Sequence, residues 1–184
     1  MASETETALL VEVPAADAAV GPYRDILDLA AGWGVPAHLT VLYPFVPPAQ
    51  LDDDVRSLVA DIAATVPAFE LTLAGIKWFG ADLVWLAPDD PEPLRQLTAR
   101  IVARFPDHQP YGGEITDPTP HLTVAHLGTL ADRRAAAAAV LPRLPIRQRV
   151  TEVALWAGSP EPAAWHRCGA FPLGRSLGDV HRHR

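Results

Sequence analysis

A single cysteine, Cys168, rules out an internal disulfide and gives no metal-ligand pattern. No apolar run approaches the length of a bilayer span, so no membrane partner is expected. The N-terminal stretch MASETETALLVEVP opens with acids and has no basic region, which excludes a secretory signal peptide and leaves a cytoplasmic location as the simplest expectation. Positive charge is also in deficit. Fifteen basic against 22 acidic residues give a net charge of −7, too negative for a sequence-independent grip on duplex DNA. That balance leaves room for a nucleotide or an RNA end held by a few residues in a cleft. Lys77 is the only lysine, and the other basic residues are arginines, which suit bidentate phosphate contacts. What is present is a globular composition, 49% apolar and 20% charged. At 184 residues it suffices for one domain, or for two small lobes around one core, and a monomer is expected.

Leu9 to Val13 reads as a first strand. Tyr23 to Ala31 places Ile26, Leu27 and Ala30 on one helical face, ended by Gly32 and Gly34. HLTVLYPFV is β-rich, and Leu51 to Val66 repeats its apolar residues at helical spacing. FELTLAGIKWFGADLVWLAP reads as a hairpin turning at Gly80-Ala81-Asp82. Pro91 to Phe105 is helical, a Pro- and Gly-rich loop runs from Pro106 to Pro120, and a second HLTV follows. The alanine run Ala135 to Ala139 predicts a helix, and Arg149 to Trp156 and Trp165 to Leu173 predict two closing strands. From Arg175 the chain loses periodicity, as a flexible tail would. This order suggests an α+β fold with mostly antiparallel sheets, and the HLTV copies suggest an internal duplication.

The repeated tetrapeptide carries the chemistry. His38-Leu39-Thr40-Val41 and His121-Leu122-Thr123-Val124 are identical and lie 83 residues apart. Residues two apart on a strand share a face, so each histidine should project with its threonine while Leu and Val enter the core. Either copy alone reads as an ordinary half-buried strand. Two copies facing one cleft would present two imidazoles and two hydroxyls to one ligand. Imidazole titrates near neutrality, so one ring can accept a proton from an attacking oxygen while the other protonates a leaving oxygen. The threonine hydroxyls can hydrogen-bond non-bridging phosphoryl oxygens in the transition state.

These residues resemble the 2H phosphoesterases, which include bacterial 2′-5′ RNA ligases and cyclic nucleotide phosphodiesterases and are defined by two H-x-[T/S]-x motifs about this far apart. The flanking segments HLTVLYPF, LAGIKWFGADLVWLAP and DPTPHLTVAHLG agree, and the resemblance runs from about Leu9 to Leu173. It implies a bilobal, pseudo-symmetric α+β fold, two mostly antiparallel sheets with flanking helices around a central cleft. Residues 1–174 would form the single domain, with one motif per lobe, and 175–184 the tail. It also implies cofactor-free, reversible chemistry at 2′,3′-cyclic phosphates or 2′-5′ linkages of nucleotides or RNA ends, with His38, His121, Thr40 and Thr123 at its centre. A non-catalytic nucleotide- or RNA-end-binding module using the same cleft is the alternative. Many bacterial RNA ligase-like members carry arginine three residues after the second motif's threonine; His126 stands there in this chain. An imidazole holds phosphate more weakly than a guanidinium, which bears on ligation and substrate class while leaving the two-histidine core intact.

Among the remaining residues, Tyr43 and Tyr111 are candidates to stack a base, with Trp33 and Trp78 behind them. His126 is a further substrate-binding candidate, although simple alternation would turn it away from His121. A zinc site from His38, His121 and His126 lacks a cysteine pair, an HExxH or a carboxylate cluster in support, so no metal is expected. His108, His166 and the tail residues His181 and His183 read as surface residues, and Arg24, Arg56 and Arg104 as solvated helix faces.

Overall fold

A computed structural model describes residues 4–115 and 118–175. The first strand, β1 (Glu6–Glu12), leads into helix α1 (Asp17–Leu27) and the single turn α2 (Leu29–Gly32). Strand β2 (His38–Leu42) carries the first motif, and α3 (Asp53–Ala64) follows, capped by the Asp52 carboxylate accepting from the Val55 N–H at 2.9 Å. The hairpin is β3 (Phe69–Phe79) and β4 (Leu83–Pro88), closing on the pairs Trp78 with Val84 and Phe79 with Leu83. Gly80, at φ +58°, supplies the left-handed residue of its turn. Helix α4 (Glu92–Arg104) precedes the second motif strand, β5 (Leu122–Ala125). Helix α5 (Leu130–Val140) starts earlier than its alanine run because Thr129 and Asp132 form a capping box. Strands β6 (Ile146–Val150), β7 (Glu152–Gly158) and β8 (His166–Pro172) complete the chain.

The fold is α+β, with two four-stranded antiparallel sheets ordered β2-β1-β7-β8 and β5-β4-β3-β6. Each motif strand is an edge of its sheet, and these two edges lie against each other at the cleft. The helices cross over: α1, entering β2, packs on β5, while α4, preceding β5, packs on β2. The sheet of the first motif also takes β7 and β8 from the chain after the second motif, whereas β3 to β6 build the other sheet as one consecutive run. This exchange ties both sheets to one apolar core that includes Leu9, Leu39, Leu86, Leu122 and Leu155.

Two elements differ from the sequence reading. The helix expected over Tyr23 to Ala31 begins at Asp17 and breaks at Asp28, whose backbone is extended (φ −130°, ψ 117°) while its carboxylate caps α2 through the Ala30 N–H at 3.1 Å. Pro22 therefore lies inside α1, where its missing N–H would orphan the Ala18 carbonyl; the Arg143 guanidinium donates to that carbonyl at 2.5 Å. The run Arg149 to Trp156 is not one strand. It parts at Thr151, and β6 pairs with β3 while β7 crosses to the other sheet between β1 and β8. No glycine or proline marks that crossing; β6 alternates buried and exposed residues as an edge strand, whereas β7 is buried on both faces. The tail expected from Arg175, with His181 and His183, lies from residue 176 onward outside the described residues. Among the described residues no helix is long and apolar enough to cross a membrane.

A Cβ placed on Gly158 would meet the Trp165 Cα at 2.7 Å and its ring at 2.6 Å. Gly158→Ala should therefore destabilise the protein by about 1–3 kcal/mol, the usual overpacking cost. Urea unfolding measures this, and a change within experimental error would show that Trp165 has room to move.

Candidate active site

The two motifs are buried in the same rhythm: half-buried His, buried Leu, half-buried Thr, buried Val, in both β2 and the segment entering β5. The pleat thus sends His38 with Thr40, and His121 with Thr123, away from the core. Both imidazoles are fastened alike. His38 Nδ1 lies 2.8 Å from the Pro36 carbonyl, and His121 Nδ1 lies 2.7 Å from the Thr119 carbonyl, each two residues upstream. A carbonyl only accepts, so Nδ1 must donate, and in the neutral ring Nε2 is left with its lone pair.

The surroundings favour neutral rings. Burial beside Leu10, Val35, Trp33 and Trp165, reinforced by the nearby Arg24 guanidinium, pulls the His38 imidazole from its ordinary 6.5 down to about 4. His121 also contributes, because a charge on one imidazole disfavours a charge on the other. Burial lowers His121 as well, against the opposing pull of its Thr119 bond and of Asp28. Its ring meets Phe79 edge-on at 5.3 Å and Trp85 at 5.8 Å, while Phe79 stacks on Trp85 at 4.7 Å.

Asp28 is the electrostatic hub beside this pair. It and Arg24 are each only 4% exposed, joined by Arg24 Nε donating to Asp28 Oδ2 at 2.7 Å. A second Arg24 N–H donates to the Val35 carbonyl at 3.2 Å, and His126 Nδ1 lies 3.3 Å from Asp28 Oδ1. Burial alone would raise the Asp28 carboxyl; the contacts from His126 and Arg24 outweigh it and hold it below its ordinary 3.8. Arg24 is thus not on a solvated face. Packing of α1 on β5 covers that face, and Asp28, one turn on, neutralises the charge. His126 escapes simple alternation because β5 ends at Ala125 and the chain turns there, its N–H donating to the Leu27 carbonyl at 2.8 Å.

Two cavities open along the motifs. The larger, about 290 Å³, is lined by Thr40, Tyr43, Tyr111 and His121 with α4 and the loop before β5. The smaller, about 90 Å³, is lined by His38, Thr40, Tyr43, Trp33 and Trp165. Thr40 and Tyr43 belong to both. The Tyr43 hydroxyl donates to Glu6 at 2.9 Å, and its ring meets Trp165 edge-on at 6.1 Å. Tyr111 sits in left-handed backbone (φ 53°, ψ 37°) with its N–H donating to the Tyr43 carbonyl at 2.7 Å, a strained placement that puts its phenol beside Thr40. Thr123, half-buried and paired with Trp85, lies outside the lining of both cavities. Trp78 packs against the main core and Arg56 donates to the Cys168 carbonyl at 3.2 Å; neither lines a cavity at the motifs. Arg104 and His166 are exposed as expected, His166 beside Glu4 at 3.3 Å, whereas His108 is half-buried edge-on to Phe45. Among the described residues, no three His, Cys, Asp or Glu side chains gather as a metal-ligand set.

The model of the 2′-5′ RNA ligase superfamily matches residues 13–160, well over half the chain and spanning both motifs. The chain belongs to the 2′-5′ RNA ligase superfamily. Solved structures carry the same architecture: E. coli LigT in its apo form aligns with TM-score 0.60 at 18% identity over 95% of this chain and 100% of that one. E. coli LigT complexed with 3′-AMP gives 0.58 at 18% identity, covering 94% and 100%. A Thermus thermophilus protein gives 0.60 at 18% identity, covering 93% and 99%. At that identity they establish the fold. No curated protein matches the chain.

Within this 2′-5′ RNA ligase superfamily fold, sequence reasoning missed Asp28 and the aromatic wall of Phe79 and Trp85. Arg24 and Asp28 stand four apart with opposite charge, a spacing that signals helical pairing. Their burial was not readable, because α1 is covered by a strand from the other motif. Removing one partner of a buried pair leaves the other uncompensated, so Asp28→Ala should cost about 3–5 kcal/mol at neutral pH. Arg24→Met combined with Asp28→Leu should recover most of that loss. Because folding lowers the Asp28 pKa, its stabilisation is complete above 3.8 and disappears as pH falls through the lower folded value. Chemical denaturation of the single and double variants is the check; a double variant no more stable than Asp28→Ala would show that the pair is not the cause.

Proposed function

We propose that this superfamily member is a single-domain, monomeric, cytoplasmic phosphodiesterase that needs no metal and acts on 2′,3′-cyclic phosphate or 2′-5′ linkages of nucleotides or short RNA ends. The observation that carries this reading is the matched fastening of two half-buried imidazoles, each with Nδ1 on an upstream carbonyl and Nε2 left for proton transfer. His38, held neutral by burial and Arg24, is the general base; His121 is the general acid. In hydrolysis, His38 takes a proton from water as its oxygen bonds to phosphorus. The bond from phosphorus to the ribose oxygen breaks, and His121 protonates that oxygen, leaving a monoester. A ribose hydroxyl in place of water runs the same exchange as ligation.

Thr40 and Thr123 donate to the non-bridging oxygens, Tyr43 and Tyr111 receive the nucleoside, and His126, steadied by Asp28, stands by as a further phosphate donor. The E. coli LigT structures with 3′-AMP, ATP and NADP+ support a nucleotide as ligand.

Replacing either His38 or His121 with alanine should lower turnover of a cyclic nucleotide by at least roughly a hundredfold in excess EDTA. Wild-type protein that binds the nucleotide without turning it over would make the chain a binding module, and loss of activity in EDTA with rescue by zinc would make it a metalloenzyme. Thr40→Val and Thr123→Val should each raise the barrier by about 2–4 kcal/mol without altering the melting temperature, as loss of an oxyanion donor does. Full turnover by either would return that threonine to a strand-forming role.

The pH profile follows from the two imidazoles. The working form has His38 neutral, which requires a pH above about 4, and His121 protonated, which requires a pH below its lowered value and hence below 6.5. The bell of kcat/KM should therefore peak on the acid side of neutrality. A peak at pH 7 or above would show that the two imidazoles are not both lowered in the free enzyme.

A further inference from the structure

Among the described residues that line the larger cavity, one charged side chain is left unused by this acid–base scheme. Arg95, Thr98, Ala99 and Val102 of α4 all line it, at the i, i+3, i+4, i+7 spacing of one helical face. The Thr98 hydroxyl donates to the Val41 carbonyl at 2.9 Å, which pins this face to the strand carrying Thr40. Arg95 therefore stands one helical turn from a fixed contact with the motif strand. Its side chain is exposed, and among the described residues its guanidinium makes no hydrogen bond or ion pair. No carboxylate lines the cavity among the described residues, although the chain carries 22 acids. A guanidinium with no carboxylate partner among the described residues, in a cavity shared with His121 and Thr40, is arranged for an anion.

In the proposed mechanism the motif residues serve the phosphate whose bond is broken, which leaves Arg95 to a different anion. The cavity between is near the lower end of small-molecule sites, roughly 300–1,000 Å³, and has flat apolar surfaces in Tyr43, Tyr111 and the loop prolines Pro110, Pro118 and Pro120. We propose that Arg95 binds a second phosphate of the substrate, so that the cleft selects nucleotides bearing a phosphate beyond the one being opened. A cyclic-phosphate nucleotide with a 5′-phosphate, or the end of an oligonucleotide, meets this requirement; a cyclic mononucleoside phosphate does not. This inference rests on the phosphodiesterase reading for its kinetics but not for its binding.

The test compares 2′,3′-cyclic AMP with the same compound carrying a 5′-phosphate. Wild type should favour the 5′-phosphorylated substrate in kcat/KM by about tenfold, the scale of one charge-assisted contact. Arg95→Ala should bring the ratio close to one, while Arg104→Ala, on the same helix but outside the cavity, keeps it. The wild-type preference should also shrink as salt is raised. A wild-type ratio near one, or a ratio that survives Arg95→Ala, overturns the proposal. Calorimetry supplies a readout without turnover: adenosine 3′,5′-bisphosphate should bind wild type about tenfold more tightly than 3′-AMP, with the difference lost in Arg95→Ala. If neither cyclic substrate is hydrolysed, the phosphodiesterase reading fails and the bisphosphate comparison alone decides Arg95; equal affinities in wild type reject it.

Discussion

Burial of Leu39, Val41, Leu122 and Val124 in one core is the constraint from which the site follows. In a pleated strand the side-chain period is two, so fixing these four residues inward fixes both histidines and both threonines outward. A slip of one residue in either strand would drive an imidazole into the core and a leucine into the cleft. The register is held on each side by ladder pairs, Glu12 with His38 and Leu10 with Thr40 in one sheet, Leu86 with Leu122 and Trp85 with Thr123 in the other.

The exchange of elements between the lobes supplies the second constraint. Because α1 packs on β5 and α4 on β2, the edges of the two sheets meet where each helix covers the opposite strand. The cleft is therefore a seam between two structural units, and side chains from both furnish its walls. It also explains why a buried ion pair can sit there. Asp28 collects a guanidinium, an imidazole and a backbone N–H at the point where α1 and α2 part and the chain leaves β5. A carboxylate so engaged stays ionised in an apolar setting, and its charge partly offsets the Arg24 guanidinium near His38.

These two features set the protonation landscape. Both imidazoles are disfavoured as cations before any ligand arrives, His38 more strongly through its deeper burial and the Arg24 guanidinium close to it. An incoming phosphate carries the opposite charge and favours the protonated ring. In the proposed mechanism the substrate thus helps to charge its own acid.

Whatever depends on local periodicity was legible in the chain alone. The two H-x-T pairs, the strand alternation around them, the β3–β4 hairpin and the α+β order are all written in spacings of two and of about 3.6 residues. Features that depend on residues distant in the chain emerged only from the packed fold. It parted the Arg149 to Trp156 run between two sheets at Thr151, broke a helix at Asp28, buried Arg24, and placed Arg95 against the cavity shared by Thr40 and His121. The reason is physical: a pleat or a helical turn is satisfied by neighbours in sequence, whereas the burial of a charge or the wall of a cleft is set by whichever strand packs across it.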